Sequence, residues 1–340
     1  MTIRSILLAT VAVGFALAAP FTATAQDAIG SGSSFVAPLM ERWVDLAKDY
    51  AGVTIQYKTD GSANGQNKVL AREVDFAITD SPMSVDALAG GQMVQFPIGI
   101  GAVVCVVNMP GIVSGQLKLD GTLLAAIYSG KIKNWNDPAI TSVNPGVKLP
   151  DLPIRPVWQA DATGPTYAFT QYLLAANADW REKYGSVIKK RWAVGSSVAS
   201  NPAMFEAMQT LPGSIGYLSY GLAMSNNLVM VQLKNSAGNF VAADPEEFAN
   251  SLADVKWAEA PNLVVNLVNR PGAQSWPILA PIYVQMPADP KNIKRSEAAR
   301  KFFDFATSRK GRGAVRGSNL VLLPEPTQAI VQAIWAKING

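Results

Sequence analysis

The chain has 340 residues, of which 49% are hydrophobic and 16% are charged, so it can form a large core and lacks the composition of a disordered chain. Its net charge of +4 gives little indication of nucleic-acid binding, and we expect none. Histidine is absent, which excludes serine–histidine triads, histidine-ligated zinc and imidazole acid–base chemistry.

The first 25 residues have the order of a secretory signal peptide. Arg4 precedes an apolar run over residues 6–19, and small residues follow up to Ala25. The run is shorter than the roughly 20 residues that a membrane helix needs. We therefore expect cleavage after Ala25 and a periplasmic mature protein of about 315 residues, a length that favours two domains.

The single cysteine, Cys105, lies within the apolar segment 96–107. It cannot form an intramolecular disulfide, and it is far from the cleavage site where a lipid anchor would be attached. We expect a buried structural thiol and no lipid anchor.

The mature chain begins with strands and helices in alternation, which indicates a parallel or mixed sheet. The predicted elements are a short strand running into a Gly/Ser turn at 28–35, helix 36–50, strand 53–57, helix 66–72 and strand 74–78. Ligands of such sheets bind beyond the carboxyl ends of the strands. Three polar loops follow these strands and should converge at that edge: 32–35, 61–64 and 79–81.

The rest of the chain continues this pattern after a long extended segment at 96–109. The later predictions are helix 122–128, strand 154–159, helix 165–177, an extended segment at 278–284 that could return to the first domain, and helices 300–307 and 327–337.

Several segments, in this order along the chain, resemble the periplasmic phosphate-binding proteins of phosphate ABC transporters. They are GSGSSFVAP at 30–38, DGSANG at 60–65, VDFAITDSPMS at 74–84, DATGPTYAFTQYL at 161–173 and LPGSIGYLSY at 211–220. The resemblance implies an α/β fold of the type II periplasmic binding protein class: two α/β domains, a two-strand hinge and a ligand cleft between them. Residues 26–108 and 282–340 would form the first domain and 109–281 the second.

The resemblance also implies the partners. The ligand would be phosphate or a related oxyanion, and the closed form would be recognised by the membrane permease subunits of an ABC transporter with their cytoplasmic ATPase. We expect a monomer that needs neither a metal nor another cofactor.

The positions that match the family's phosphate ligands carry hydrogen-bond donors, which phosphate oxygens require. These are Ser34, Phe35, Ser62, Gln159, Thr163 and Gly164, with Asp161 and Thr166 as weaker candidates. Helix N-termini supply further unpaired N–H groups and a partial positive charge. Each loop has an ordinary alternative, because serine, threonine and glycine before a helix are also common caps.

Asp80 matches the family's one acidic ligand. A carboxylate repels an anion unless it accepts a proton from it, and phosphate carries such a proton near neutrality whereas sulfate does not. Asp80 would therefore discriminate between anions of similar size. The alternative is an ordinary cap or loop carboxylate.

The sequence departs from the family in the second domain, where the usual pattern is Arg-Ala-Asp-Gly-Ser-Gly-Thr. Gln159 stands at the position of the arginine, and Pro165 stands at that of the threonine. Replacing a bidentate cation by an amide could cost about 2–4 kcal/mol of binding free energy. The ligand could therefore be another oxyanion or a small phosphorus compound.

An extracytoplasmic phosphatase is the alternative from another functional class, but the sequence shows no histidine, metal-ligand cluster or activated nucleophile to support it. As a separate possibility, Ser186 and Lys189 have the S-x-x-K spacing of serine acylases, but the chain lacks the accompanying S-D-N and K-T-G motifs. We expect no enzyme activity and no catalytic residues.

Overall fold

The computed structural model describes residues 27–160, 164–185, 192–315, 320, 321, 323, 325–335 and 338. The predicted signal peptide and the Ser186–Lys189 pair lie outside the described residues.

Strands and helices alternate through most of this part of the chain. The strands are β1 (Ala28–Gly32), β2 (Ile55–Lys58), β3 (Phe76–Thr79), β4 (Met93–Val107), β5 (Lys118–Leu119), β6 (Arg155–Gln159), β7 (Ser196–Val198), β8 (Ser214–Ser219), β9 (Val229–Met230), β10 (Gln232–Lys234), β11 (Phe240–Val241) and β12 (Leu279–Pro287). The helices are α1 (Ala37–Ala51), α2 (Ser62–Leu70), α3 (Val85–Gly90), α4 (Gly121–Tyr128), α5 (Pro138–Val143), α6 (Gly164–Ala176), α7 (Ala178–Tyr184), α8 (Asn201–Thr210), α9 (Tyr220–Ser225), α10 (Pro245–Asn250), α11 (Ile293–Thr307), α12 (Arg309–Val315) and α13 (Glu325–Trp335).

One mixed sheet runs through the molecule in the order β2-β1-β3-β12-β4-β8-β6-β7, with β9 also paired to β4. At one end β1 is parallel to β2 and β3, and at the other end β6 is parallel to β7 and β8. Between these groups, β12 is antiparallel to β3 and to β4, and β8 is antiparallel to β4. A small second sheet has the order β11-β10-β5.

The 15-residue strand β4 joins the two halves of the molecule. Its first part pairs with β12 as far as Ala102, opposite Leu279, and its second part pairs with β8 from Val103, opposite Ser219. We use lobe 1 for the described residues in 27–102 and 279–338, and lobe 2 for those in 103–278. The exact division of the chain into domains at 108/109 and 281/282 stays a prediction.

A close approach of backbones sets the edge of lobe 1 where β1 ends. Gly32 has a φ of 140°, and a Cβ atom there would lie 2.1 Å from the carbonyl oxygen of Ile78 on β3. A Cβ atom on Gly65 of α2 would lie 2.7 Å from the Cα atom of Gly32. Only glycine fits at these two positions, so α2 can rest directly on the end of β1.

One sequence prediction agrees with the structure at this edge and one differs. The short strand running into a turn over 28–35 is confirmed, since β1 ends at Gly32 and Ser33 and the next residues turn into α1. The helix predicted at 66–72 begins earlier, at Ser62, after Gly61 with a φ of 96°. The DGSANG segment is therefore mostly the first part of a helix and not a turn.

The core extends across the sheet on both lobes. Helices α1, α2 and α11 contact the strands of lobe 1, and α6 and α8 contact β8 in lobe 2. Cys105 lies on β4 in this core with 1% exposure, and burial raises the pKa of its thiol. No helix in the described ranges is both long and apolar enough to cross a bilayer.

Candidate functional site

The carboxyl ends of the parallel strands from both lobes meet where the lobes are in contact, at the place where the resemblance implies the ligand cleft. Asp80 follows β3 in lobe 1, and Gly164 begins α6 in lobe 2. The Gly164 N–H donates to Oδ1 of Asp80 over 3.1 Å, so the two lobes are in direct contact here. The predicted convergence of the loops after β1, β2 and β3 is what the structure shows.

Asp80 is the centre of this contact, with 2% of its surface exposed. Ser62 Oγ donates to Oδ1, the oxygen that also accepts from Gly164, and Ser33 Oγ donates to Oδ2 over 3.0 Å. All three donors are neutral. Burial raises the pKa of the Asp80 carboxyl above 3.8, and the hydrogen bonds from Ser62, Ser33 and Gly164 oppose this rise because they stabilise the ionised form.

Two helices of lobe 1 direct their N-termini towards this region. Among the described residues, no side chain caps the N-terminus of α1 or of α2. By contrast, α3, α4, α7, α8 and α11 each have a Ser, Asp or Asn cap that accepts a backbone N–H. At α1 the first N–H groups are taken by backbone oxygens, since Ala37 donates to the Ser34 carbonyl oxygen and Leu39 to that of Val36, and Pro38 has no N–H. The uncapped N-terminus of α2 is the arrangement that suits an anion.

Phe35 and Ser34 occupy different positions in the turn before α1. The Phe35 N–H donates to Ser33 Oγ over 3.0 Å. The Phe35 ring lies against β4, where a Cβ atom on Gly101 would be 1.8 Å from the ring. Ser34 is half-buried. Of the two hydroxyls in this turn, that of Ser33 reaches Asp80, in addition to Ser62 of α2.

In lobe 2, Gln159 and Thr166 lie together around Tyr217. The Gln159 backbone N–H donates to Tyr217 Oη over 3.2 Å, and its Nε2 donates to the Tyr217 carbonyl oxygen over 3.4 Å. Thr166 Oγ1 lies 2.9 Å from Tyr217 Oη. All three residues are at most 1% exposed. Asp161 and Thr163 lie outside the described residues.

Three site residues could not be selected from sequence: Ser33, Tyr57 and Tyr217. Tyr57 Oη donates to the Ser33 carbonyl oxygen over 3.0 Å, and burial, with the charges of Asp80 and Asp60, raises the pKa of Tyr57. Their only sequence signal is a position within or just after a strand that ends at the cleft, which many core residues share.

Asp60 and Lys68 form a separate ion pair on lobe 1. Ser31 Oγ donates to Oδ1 of Asp60 over 2.5 Å, and the Lys68 ammonium contacts Oδ2. The positive charge of Lys68 is thereby matched by Asp60. The described residues contain no group of three or more carboxylates or cysteines placed to hold a metal ion.

Residues 18–310 match the model of the PBP superfamily domain. The chain is 37% identical to the phosphate-binding protein PstS of Pasteurella multocida over 98% of this chain and 96% of that one, and 36% identical to PstS of Haemophilus influenzae over 93% and 94%. The chain belongs to the PstS family of phosphate-binding proteins.

Solved structures agree with this assignment at the level of the fold. A periplasmic phosphate-binding protein, PfluDING, superposes with a TM-score of 0.71 at 19% identity, covering 90% of this chain and 93% of that one. A phosphate-binding protein from Stenotrophomonas maltophilia gives 0.67 at 18% identity, covering 91% and 94%.

These findings confirm the predicted family and the type II binding-protein fold. Members of the PstS family are solute-binding proteins of transport systems, so the prediction that the chain is not an enzyme is also confirmed, and the phosphatase alternative is discarded. The individual ligand positions stay predictions. Asp80, Ser62, Phe35 and Gly164 are gathered at one place, whereas Gln159 and Thr166 form hydrogen bonds within lobe 2.

Proposed function

We propose that this PstS-family protein captures inorganic phosphate in the cleft between its lobes and delivers it to an ABC permease. The ligand would contact Ser34, Phe35 and Ser62 of lobe 1 and Gln159, Thr163 and Gly164 of lobe 2. Asp80 would accept the proton that phosphate carries. Asp161 and Thr166 are additional candidates from lobe 2.

One observation supports this proposal most directly. Donors from both lobes, Ser62 Oγ and Gly164 N–H, meet at a single carboxylate oxygen of Asp80. A phosphate that carries a proton needs donors for its oxygens and one acceptor for its O–H group, and this group of residues contains both. Phosphate oxygens would take the donors, and a phosphate O–H would donate to Asp80.

The arrangement also indicates how the anion would be selected. The donors around Asp80 are neutral, and the carboxylate adds a negative charge at the centre of the site. A fully ionised anion would meet an acceptor with no proton to share, at a buried position where this mismatch is costly. Phosphate avoids this mismatch.

The setting in the cell follows from the same proposal. The protein would be secreted to the periplasm after cleavage behind Ala25, without a lipid anchor, and would act as a monomer. Movement of the lobes about β4 and β12 would enclose the ligand. The membrane permease subunits and their cytoplasmic ATPase would recognise the closed form.

Isothermal titration calorimetry against phosphate, arsenate, sulfate and methylphosphonate tests the ligand. We expect saturable one-site binding of phosphate and at least 100-fold weaker binding of sulfate at pH 7. Eight tryptophans provide an independent fluorescence signal. Binding of another oxyanion without binding of phosphate would contradict the proposal and favour the alternative raised by Gln159 and Pro165.

A further inference from the structure

The Ser33 hydroxyl forms two hydrogen bonds, and its neighbours fix which one it accepts and which one it donates. The Phe35 N–H donates to Ser33 Oγ over 3.0 Å, so this oxygen is already an acceptor. The Ser33 proton is then free for Oδ2 of Asp80, 3.0 Å away. Because a carboxylate only accepts, the direction of this bond is fixed as long as Asp80 is ionised. Ser33 itself is 1% exposed, so bulk water has no access to its hydroxyl group.

The two oxygens of Asp80 are consequently in different surroundings. Oδ2 is held within lobe 1 by Ser33, whereas Oδ1 faces Ser62 and the Gly164 N–H of lobe 2. Among the described residues, Oδ1 is the oxygen of Asp80 that contacts lobe 2. Without Ser33, the carboxyl group could rotate about its Cβ–Cγ bond, or take up a proton on the oxygen that Ser33 now contacts.

We propose that Ser33 is a specificity-determining positioning residue, which holds Asp80 ionised with Oδ1 presented to the ligand as a proton acceptor. This inference rests on the proposed function and extends it. Ser33 does not touch the ligand in this role; it acts through Asp80. A protonated Asp80 would donate a hydrogen bond to a sulfate oxygen, and sulfate could then bind. Loss of Ser33 should therefore reduce the preference for phosphate over sulfate.

A structural role for Ser33 is the competing interpretation, and Ser31 provides a matched control. Both serines are 1% exposed and lie two positions apart at the end of β1. Both donate to a carboxylate, but Ser31 contacts Asp60, which is paired with Lys68, instead of Asp80. Ser31→Ala should therefore reproduce the loss of a buried hydroxyl without affecting Asp80.

The first measurement follows the carboxyl carbon of Asp80 by 13C NMR as a function of pH in the unliganded protein. We expect Ser33→Ala to raise the pKa of Asp80 because it removes a donor that stabilises the ionised form, and Ser31→Ala to leave this pKa unchanged. The titratable groups nearest on lobe 1 are Tyr57 and the Asp60–Lys68 pair, and they are unaltered by Ser33→Ala. Asp161, outside the described residues, is likewise unaltered, so the difference reports on Ser33.

The second measurement is the ratio of phosphate to sulfate affinity at pH 7, by calorimetry. Ser33→Ala should lower the ratio about ten-fold, the magnitude expected for one hydrogen bond to a charged group. Ser31→Ala should not change it. In the Asp80→Asn background, Ser33→Ala should have no further effect on the ratio, since the two residues act as one unit.

The outcomes separate this proposal from the proposed function. Phosphate binding by the wild type, with an unchanged ratio and an unchanged pKa of Asp80 in Ser33→Ala, would overturn the role of Ser33 alone. A further fall of the ratio in the Asp80→Asn background would also overturn it. Absence of phosphate binding by the wild type would overturn the proposed function and this extension together.

Discussion

Gly164 and Asp80 join the two lobes: the Gly164 amide nitrogen lies 3.1 Å from Oδ1 of Asp80, although 84 positions separate them in the chain. A Cβ atom on Gly164 would lie 1.9 Å from Cγ of Asp80, so glycine is the only residue that allows this approach. The first amide of α6 can therefore serve as a donor in the cleft.

Gly164→Ala should weaken phosphate binding by at least ten-fold, because the added methyl group meets Asp80 and keeps the lobes apart. Calorimetry gives the affinity, and the radius of gyration by small-angle scattering with phosphate should be larger than that of the wild type. Gly90→Ala is the control, since no atom lies within 4 Å of its Cβ position. Equal affinities of Gly164→Ala and wild type would show that this contact is not part of the ligand-bound form.

Asp80→Asn should reduce selectivity while increasing stability at neutral pH. An acid whose pKa is higher in the folded protein than in the unfolded chain lowers stability when the pH exceeds that pKa, because the folded state then carries an unfavourably buried charge. Asparagine removes the charge and keeps one acceptor oxygen. We expect the melting temperature of the variant to exceed that of the wild type at pH 7.

The stability difference should shrink as the pH falls and vanish at about pH 3, below the ordinary value of 3.8, where Asp80 is protonated in both states. Thermal unfolding in the absence of ligand, at several pH values, checks this. The same variant should lose phosphate affinity relative to sulfate. A difference in melting temperature that does not depend on pH would indicate that the charge of Asp80 is not its cause.

Gln159→Arg should tighten phosphate binding by about ten-fold or more, because a guanidinium group can form two charge-assisted hydrogen bonds to an oxyanion. The gain is limited because Nε2 of Gln159 already donates to the Tyr217 carbonyl oxygen and the site is buried. Gln159→Met, of similar length and uncharged, should not tighten binding. Calorimetry compares the three proteins; unchanged affinity in Gln159→Arg would place this side chain outside the ligand site.

Tyr217→Phe should destabilise the lobe 2 side of the cleft. The variant leaves the Gln159 N–H without its Oη acceptor and removes a partner of Thr166, at an expected cost of about 1–3 kcal/mol in the free energy of unfolding. We also expect weaker phosphate binding, because Gln159 is held less firmly.

Tyr128→Phe is the matched control for Tyr217→Phe. Tyr128 is equally buried, but its hydroxyl donates to the carbonyl oxygens of Val157 and Ile215 in the core. The Tyr128→Phe variant should have a lower free energy of unfolding but an unchanged affinity for phosphate. Denaturant unfolding and calorimetry distinguish the two effects, and a parallel loss of affinity in both variants would reduce the role of Tyr217 to general stability.

Local sequence patterns predicted most of the elements around the cleft. The alternation of strands and helices near the N-terminus and the extended segment that became β4 depend on short-range periodicity, which the sequence displays directly. The start of α2 differs from the sequence prediction because Gly61, with its positive φ, allows the helix to begin at Ser62, where the sequence pattern predicts a turn.

Composition alone excludes histidine chemistry, and the resemblance of several ordered segments to a known solute-binding family selects Asp80, Ser62 and Gly164 as candidates. The tertiary structure decided which of the two neighbouring hydroxyls after β1, Ser33 or Ser34, reaches Asp80. Ser33 and Ser34 are adjacent and chemically identical, and only the turn after Gly32, set by the packing of β1 on β3 and α2, directs Ser33 towards the carboxylate. Hydrogen bonds across such distances depend on the directions of side chains from several elements at once, and no short-range pattern encodes those directions.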